Sequence, residues 1–232
     1  MLVLPQDRRQ SAPMSIKSVK LYHYPLSRSA RVKFLLHEIY GDNFEYVFMD
    51  MLKGAGRTPE FLMKNPNHAV PVLDITYEDG TTQTMIESGA MIVFLADAYP
   101  EKGLAPSPDD LEARADYLQM IMFGSAHMDT ALWEIRMNET LLPLEARSKS
   151  VADHYRHKLE TEIAPQLESR LKSNKYICGD EFTAADCIMA QNINWAGAYG
   201  YCRSNAFKAY MLRLAKRPTF QQAYADRDQF GG

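Results

Sequence analysis

Residues 22–32 read YHYPLSRSARV, placing four hydroxyls, those of Tyr22, Tyr24, Ser27 and Ser29, within eight positions, with Arg28 and Arg31 among them. The stretch is either a chemical site at a strand-to-helix junction or only a turn and a helix cap. Tyr22 and Tyr24, two apart on a strand, share one face. Further along, Glu87 and Ser88 join a hairpin to a helix. Backbone N–H groups at a helix start attract carboxylate, and Glu87 suits an ammonium, so the pair fits an amino-acid head group. Ser88 also reads as a plain N-cap. Val70-Pro71 stands where a strand begins, a position that tolerates the missing proline donor at an edge or turn.

The elements that carry these residues follow from periodicity. VKLYHY is β-rich. ARVKFLLHEI sets Val32, Leu35, Leu36 and Ile39 at i, i+3, i+4 and i+7, a helix stripe. FEYVFMD predicts a second strand, and TPEFLMKN a short helix with Pro59 in its first turn. VPVLDITYEDGTTQTMIES predicts two strands around an Asp-Gly hairpin turn. SGAMIVFLADAYP then predicts a helix ending before Pro100. The order β-α-β-α-β-β-α predicts an α+β sheet with helices on its faces. EKGLAPSPDD reads as a linker. Beyond it the pattern is helical, over 109–140, 148–173 and 183–196 and in shorter pieces, with Thr183 and Asp186 in a capping-box pattern. The expected division is a disordered extension over 1–16, an α+β domain over 17–101, a linker over 102–109 and an all-α helical domain over 110–232.

Composition excludes several classes. The chain has 232 residues and a net charge of −3, without a basic stripe that would mark nucleic-acid binding. No apolar run approaches the roughly 20 residues of a membrane helix. MLVLPQDRRQ is not a signal peptide, because its charges follow the apolar run. Cys178, Cys187 and Cys202 form no CxxC pair, which fits a reducing cytoplasmic compartment. His127, His154 and His157 lack metal-like partners, so no metal is expected.

Together, NPNHAVPVLD, IESGAMIVFLADAYP and GDEFTAADCIMA resemble the cytosolic glutathione transferases over residues 17 to about 226. S-x-S-x-R-V resembles the serine-type, delta- and theta-like members. The resemblance implies a thioredoxin-like first domain, glutathione as co-substrate, and a cytoplasmic homodimer active in detoxification on small electrophilic substrates. It implies that the Val70 backbone, beside Pro71 as a cis-proline, pairs with the cysteinyl part. Glu87 and Ser88 would hold the γ-glutamyl end, and His68 and Lys53 the glycine carboxylate. Ser27 would activate the thiol, with Ser29, Tyr22 and Tyr24 as alternatives and Ser29 otherwise a helix cap. Tyr24, Tyr117, Met120, Phe123 and His127 would line the electrophile pocket. Two positions depart from the common pattern: Gly89 replaces an arginine, and His68-Ala69 replaces Gly-Lys.

A thiol of pKa about 8.5 needs roughly 2 kcal/mol of thiolate stabilisation to ionise near pH 7. One charge-assisted hydrogen bond supplies about 1.5–3 kcal/mol. A helix N-terminus adds roughly 0.3–1 kcal/mol. A serine donor is therefore sufficient. The thiolate would then attack electrophilic carbon or, in other chemistries on the same site, act as peroxidase, isomerase, dehalogenase or etherase. A non-catalytic binding or regulatory protein is the alternative outside enzymology.

Overall fold

The computed structural model describes residues 15–230. The extension expected over 1–16 lies, for residues 1–14, outside that range, and Ile16 already opens the first strand. β1 (Ile16–His23) runs parallel to β2 (Glu45–Phe48) and antiparallel to β3 (Val72–Tyr77), which pairs antiparallel with β4 (Thr82–Ile86). The sheet order is β2-β1-β3-β4. A parallel pair needs a crossover, and α1 (Ser29–Tyr40) supplies it. The Asp-Gly hairpin forms as the sequence predicts, with Gly80 at φ 83° and its N–H donating 3.0 Å to the Tyr77 carbonyl.

Register brings the strand ends together. Tyr22 of β1 pairs with Val72 of β3, and Val72 pairs with Ile86 of β4. The last turn of β1, the approach to β3 and the exit from β4 therefore lie at one end of the sheet. α2 (Pro59–Leu62) begins on Thr58, whose hydroxyl accepts from the Phe61 N–H at 3.3 Å. α3 (Ser88–Ala98) leaves β4 directly and packs with α1.

α1 carries more than the expected stripe. Ser29 to His37 are all buried, Arg31 and Lys33 included. Two buried cations need partners, and these are distant in sequence: Asp129 for Arg31 and Asp226 for Lys33.

The remaining helices are α4 (Leu111–Met122), α5 (Asp129–Arg136), α6 (Lys149–Lys158), α7 (Ala164–Ser173), α8 (Ala184–Ala198), α9 (Asn205–Ala215) and α10 (Pro218–Ala223). No strand follows β4 among the described residues, apart from an isolated bridge between Tyr176 and Gly179. The long segments 109–140 and 148–173 are interrupted by wide π-helical turns at Phe123–Met128, Met137–Leu141 and Leu159–Ile163. Pro165 accounts for the third, because a proline inside a helix removes a donor and crowds the preceding turn. α8 starts on the capping box read from the sequence, with the Asp186 carboxylate accepting from the Thr183 N–H at 2.9 Å. One large apolar core runs from β1, α1 and α3 into α4, α5, α7, α8 and α9. A smaller one gathers Tyr24, Met49, Phe61, Val70 and Val72 at the sheet end.

Candidate active site

Three segments converge where the strands end. After His23 the chain turns through Pro25 and Leu26, the latter at φ 57°, before α1 begins. Ser27 lies in that turn, partly exposed. Its Oγ donates to the Tyr24 carbonyl at 2.7 Å, lies 2.8 Å from Ser29 Oγ and accepts from the Ser29 N–H at 3.2 Å.

Ser29 differs from its expected role as a cap. It is the first residue of α1, fully buried, and its hydroxyl turns back beneath the helix. It lies 2.7 Å from His23 Nδ1 and accepts from the Tyr24 N–H at 3.1 Å. The position before it, Arg28, holds the cap without a side-chain bond.

Of the tyrosines, Tyr22 donates its hydroxyl to Asp74 at 3.2 Å, with Lys64 Nζ 5.2 Å from its ring centroid. Tyr24 packs its ring against Phe48 and against Phe230 near the chain end, with centroids 5.9 and 5.5 Å apart.

The second segment is NPNHAVP. Buried Asn65 holds it: Nδ2 donates to the Ala69 carbonyl at 2.7 Å, and Oδ1 accepts from the Asn67 N–H at 3.0 Å. The Val70-Pro71 bond is cis, and Val70 belongs to the smaller apolar cluster. His68 is exposed at φ 45°. Gly56 lies flush against it, since a Cβ there would stand 2.7 Å from the His68 carbonyl oxygen. That contact brings the Lys53 loop beside His68. Lys53 itself is exposed and paired with Asp50 at 3.1 Å.

The third segment is Glu87-Ser88. Glu87 is exposed and adopts φ 73°, a conformation costly for any residue but glycine and held by its surroundings. Ser88 is not the N-cap that the sequence suggests: α3 begins on it, with Glu87 as the cap. Its buried hydroxyl accepts from Arg31 Nη1 at 3.3 Å.

Arg31 links these segments to the helical half. It donates to Gln191 Oε1 at 2.7 and 2.9 Å, to Asn192 Oδ1 at 2.6 Å, and to the Asp129 carboxylate. Arg28 donates to the same carboxylate from Nε at 2.8 Å and lies 4.7 Å from the centre of the Trp133 ring. Burial would raise the Asp129 carboxyl, but the Arg31 and Arg28 guanidinium groups outweigh it and keep it below the usual range. Gln191 Nε2 also donates to the Leu26 carbonyl at 3.2 Å. The Ser27 turn is thus fixed from α5 and α8.

Gly89, the departure from the family pattern noted above, faces Ser125: a Cβ would come within 2.6 Å of its Oγ.

Of the expected pocket wall, Tyr117 and Met120 are 0% and 2% exposed and sit in the main core. An apolar helix face packed inward explains both. Phe123 and His127, one helical turn apart, stack at 5.2 Å, the first partly buried and the second exposed. A shallow concavity of about 740 Å³ on the sheet, lined by Ser18, Lys20, Asp74 and Thr76 among others, includes none of the candidate site residues.

Sequence reading missed Asp129, Gln191, Asn192 and Asp226, each about 100 residues or more from its partner in the turn or α1. The only local signal was charge on α1: Arg31 and Lys33 interrupt an apolar stripe and demand buried anions.

Known proteins match both halves of the chain. Residues 17–97 match the glutathione S-transferase N-terminal domain and residues 129–218 the C-terminal domain. Glutathione S-transferase 1 of Dianthus caryophyllus is 33% identical over 186 residues, 76% of each chain. Glutathione S-transferase 3 of Zea mays is 30% identical over 214 residues, 89% of this chain and 93% of that protein. A sphingomonad glutathione S-transferase solved in complex with glutathione superposes with a TM-score of 0.75 at 25% identity, over 90% of this chain and 98% of that one. With both domain families matched in order and relatives aligned across most of its length, this chain belongs to the glutathione S-transferase family.

Proposed function

We propose that the protein is a serine-type glutathione transferase, in which Ser27 holds the glutathione thiol as thiolate for attack on a small apolar electrophile. The observation that carries this is the convergence of the Ser27 turn, the cis Val70-Pro71 bond and Ser88 at one sheet end, tied by the Arg31–Ser88 hydrogen bond. The family and the glutathione held by the sphingomonad relative support glutathione as the thiol.

In this reading the Val70 backbone pairs with the cysteinyl unit as an added strand. Glu87 receives the ammonium of the γ-glutamyl end, and Ser88 with the first N–H groups of α3 receives its carboxylate. Buried Arg31 beneath Ser88 supplies positive potential where Gly89 brings none. His68 and Lys53, exposed on adjoining loops, face the glycine carboxylate. Ser27 donates to sulfur; its own pKa is far too high for a general base. Phe123 and His127 form the electrophile side, while Tyr24, buried in the smaller core, supports the Ser27 turn. The protein works as a cytoplasmic homodimer.

The test is conjugation of glutathione to an activated aryl halide by wild type and Ser27→Ala. The serine reading predicts retained glutathione binding with lost thiolate absorbance and turnover. Unchanged turnover in Ser27→Ala overturns Ser27 as the activating donor, and absence of glutathione binding in wild type overturns the transferase reading.

A further inference from the structure

The hydroxyl of Ser27 is the outer end of a buried hydrogen-bonded chain. Ser27 Oγ lies 2.8 Å from Ser29 Oγ, which lies 2.7 Å from His23 Nδ1. His23 Nε2 lies 3.1 Å from Asp226 Oδ2, beyond α10. Lys33 Nζ donates to the same carboxylate oxygen at 2.6 Å. His23, Ser29 and Lys33 are 0–2% exposed.

Direction can be assigned from donor and acceptor inventory. An ionised carboxylate only accepts, so His23 carries its proton on Nε2 and offers the Nδ1 lone pair to the Ser29 hydroxyl. Ser29 Oγ is then left as an acceptor for Ser27, whose single proton turns from the Tyr24 carbonyl at 2.7 Å to Ser29 Oγ at 2.8 Å when the chain is in line. Burial favours neutral imidazole, with Lys33 adding to that effect against the Asp226 hydrogen bond. Burial alone would raise the Asp226 carboxyl, but the hydrogen bonds of His23 and Lys33 bring it down to about 2. The groups facing His23 are Ser29, Lys33 and His37 on α1, the Tyr46 ring on β2, and Asp226.

We propose that Ser29, His23 and Asp226 form a proton relay behind Ser27, with His23 as a positioning residue that receives the proton released when the bound thiol ionises. The proposal rests on Ser27 as the thiol-facing hydroxyl. The step balances in three transfers. The transfers are concerted: the S–H bond breaks and its proton joins Ser27 Oγ as Ser27 gives up its own, so Ser27 never holds two protons, and the electron pair stays on sulfur. The former Ser27 proton passes to Ser29 Oγ. The former Ser29 proton passes to His23 Nδ1, giving an imidazolium held by the Asp226 carboxylate. Every hydroxyl in the chain now points toward the thiolate, and each donor polarises the next. After sulfur is alkylated the transfers reverse, and the proton leaves at Ser27 to the departing group or to water.

The experiment compares Ser29→Ala, His23→Gln, Asp226→Asn and the Ser29→Ala/His23→Gln double variant with wild type. Each is followed by thermal melting, glutathione affinity, and the pH dependence of bound-thiolate absorbance and of kcat/KM. The relay predicts unchanged glutathione affinity and a thiol ionisation moved up by about one pH unit, a tenfold loss of thiolate below it. It also predicts that the double variant shifts no further than Ser29→Ala alone, since both cut one chain. Additive shifts in the double variant, or a wild-type profile in folded Ser29→Ala, overturn the relay while leaving Ser27 in place. If His23→Gln does not fold, Ser29→Ala and Asp226→Asn decide by the same profile. If Ser27→Ala behaves as wild type, the serine reading itself fails and the relay with it.

Discussion

Arg31 Nη1 lies 3.3 Å from Ser88 Oγ, so a fully buried guanidinium joins α1 to the first residue of α3. Its charge is balanced by Asp129 of α5, which Arg28 shares. One carboxylate thus joins the sheet end to the helical half, beside the Gln191 and Asn192 amides of α8. Removing a single member of such a pair leaves a charge buried without a partner, typically at a cost of about 3–5 kcal/mol. Asp129→Ala is expected to lose that much in urea denaturation and to weaken glutathione binding through displacement of Ser88. Arg31→Met/Asp129→Leu, which removes both charges, should recover part of the stability but not the affinity.

Ser27→Ala is expected to act on rate and not on affinity. The lost hydrogen bond to thiolate is worth about 1.5–3 kcal/mol, or roughly 10- to 150-fold in kcat. Glutathione affinity should stay within about twofold, because the binding contacts proposed above lie at Val70, Glu87 and Ser88. A parallel loss in affinity would mean that Ser27 mainly shapes the turn through its bonds to Tyr24 and Ser29. Steady-state kinetics with isothermal titration separates the two.

Gly89 has no room for a side chain. A Cβ would stand 2.6 Å from Ser125 Oγ and 3.1 Å from Ser125 Cβ, and that hydroxyl is held at 2.7 Å by the Ile121 carbonyl. The oxygen can rotate; the β-carbon cannot. Gly89→Ala should therefore destabilise by about 1–3 kcal/mol, as overpacking does. Gly89→Ala/Ser125→Gly should restore the melting temperature, which a purely helix-propensity effect would not explain.

The sequence made the frame legible because the frame is local. Strand alternation, the Asp-Gly turn, the α1 stripe and the Thr183–Asp186 box are all short-range patterns, and the family motifs fixed their order. Where polar side chains would point was not legible. Ser29 and Ser88 each read as caps, yet both are first helical residues whose hydroxyls turn inward, to His23 and Arg31. Those partners depend on α1, α5, α8 and the chain end packing together, and no local spacing encodes a contact across 203 residues such as His23 to Asp226. Tyr117 and Met120 illustrate the same limit: a helical apolar stripe states that one face is buried, not whether core or ligand buries it.

The Asp226 carboxyl sits at about 2 in the fold, below the ordinary aspartate value. A depressed carboxyl contributes stability above its unfolded pKa of about 3.9 and loses it as pH falls toward the folded value. Asp226→Asn should thus melt below wild type at pH 7, and the gap should close between about pH 4 and pH 2. A gap that stays constant with pH would assign the Asp226 contribution to packing rather than charge.

Asp186 has the opposite displacement and a larger structural duty. Burial pushes its carboxyl up to about 6, yet four hydrogen bonds converge on it. Oδ1 accepts from the Ile177 N–H at 2.9 Å and the Tyr210 hydroxyl at 2.8 Å, and Oδ2 from the Thr183 N–H at 2.9 Å and its hydroxyl at 3.4 Å. Asp186→Ala would strand two buried backbone donors and a tyrosine hydroxyl at about 1–3 kcal/mol each. The total is a large fraction of the 5–15 kcal/mol by which domains are typically stable. The variant should melt far below wild type or fail to fold. Thr183→Ala removes only the weakest of the four bonds and should cost about 1 kcal/mol. Equal losses in the two variants would show that α8 depends on its cap alone, not on the link from Asp186 to Ile177 and Tyr210.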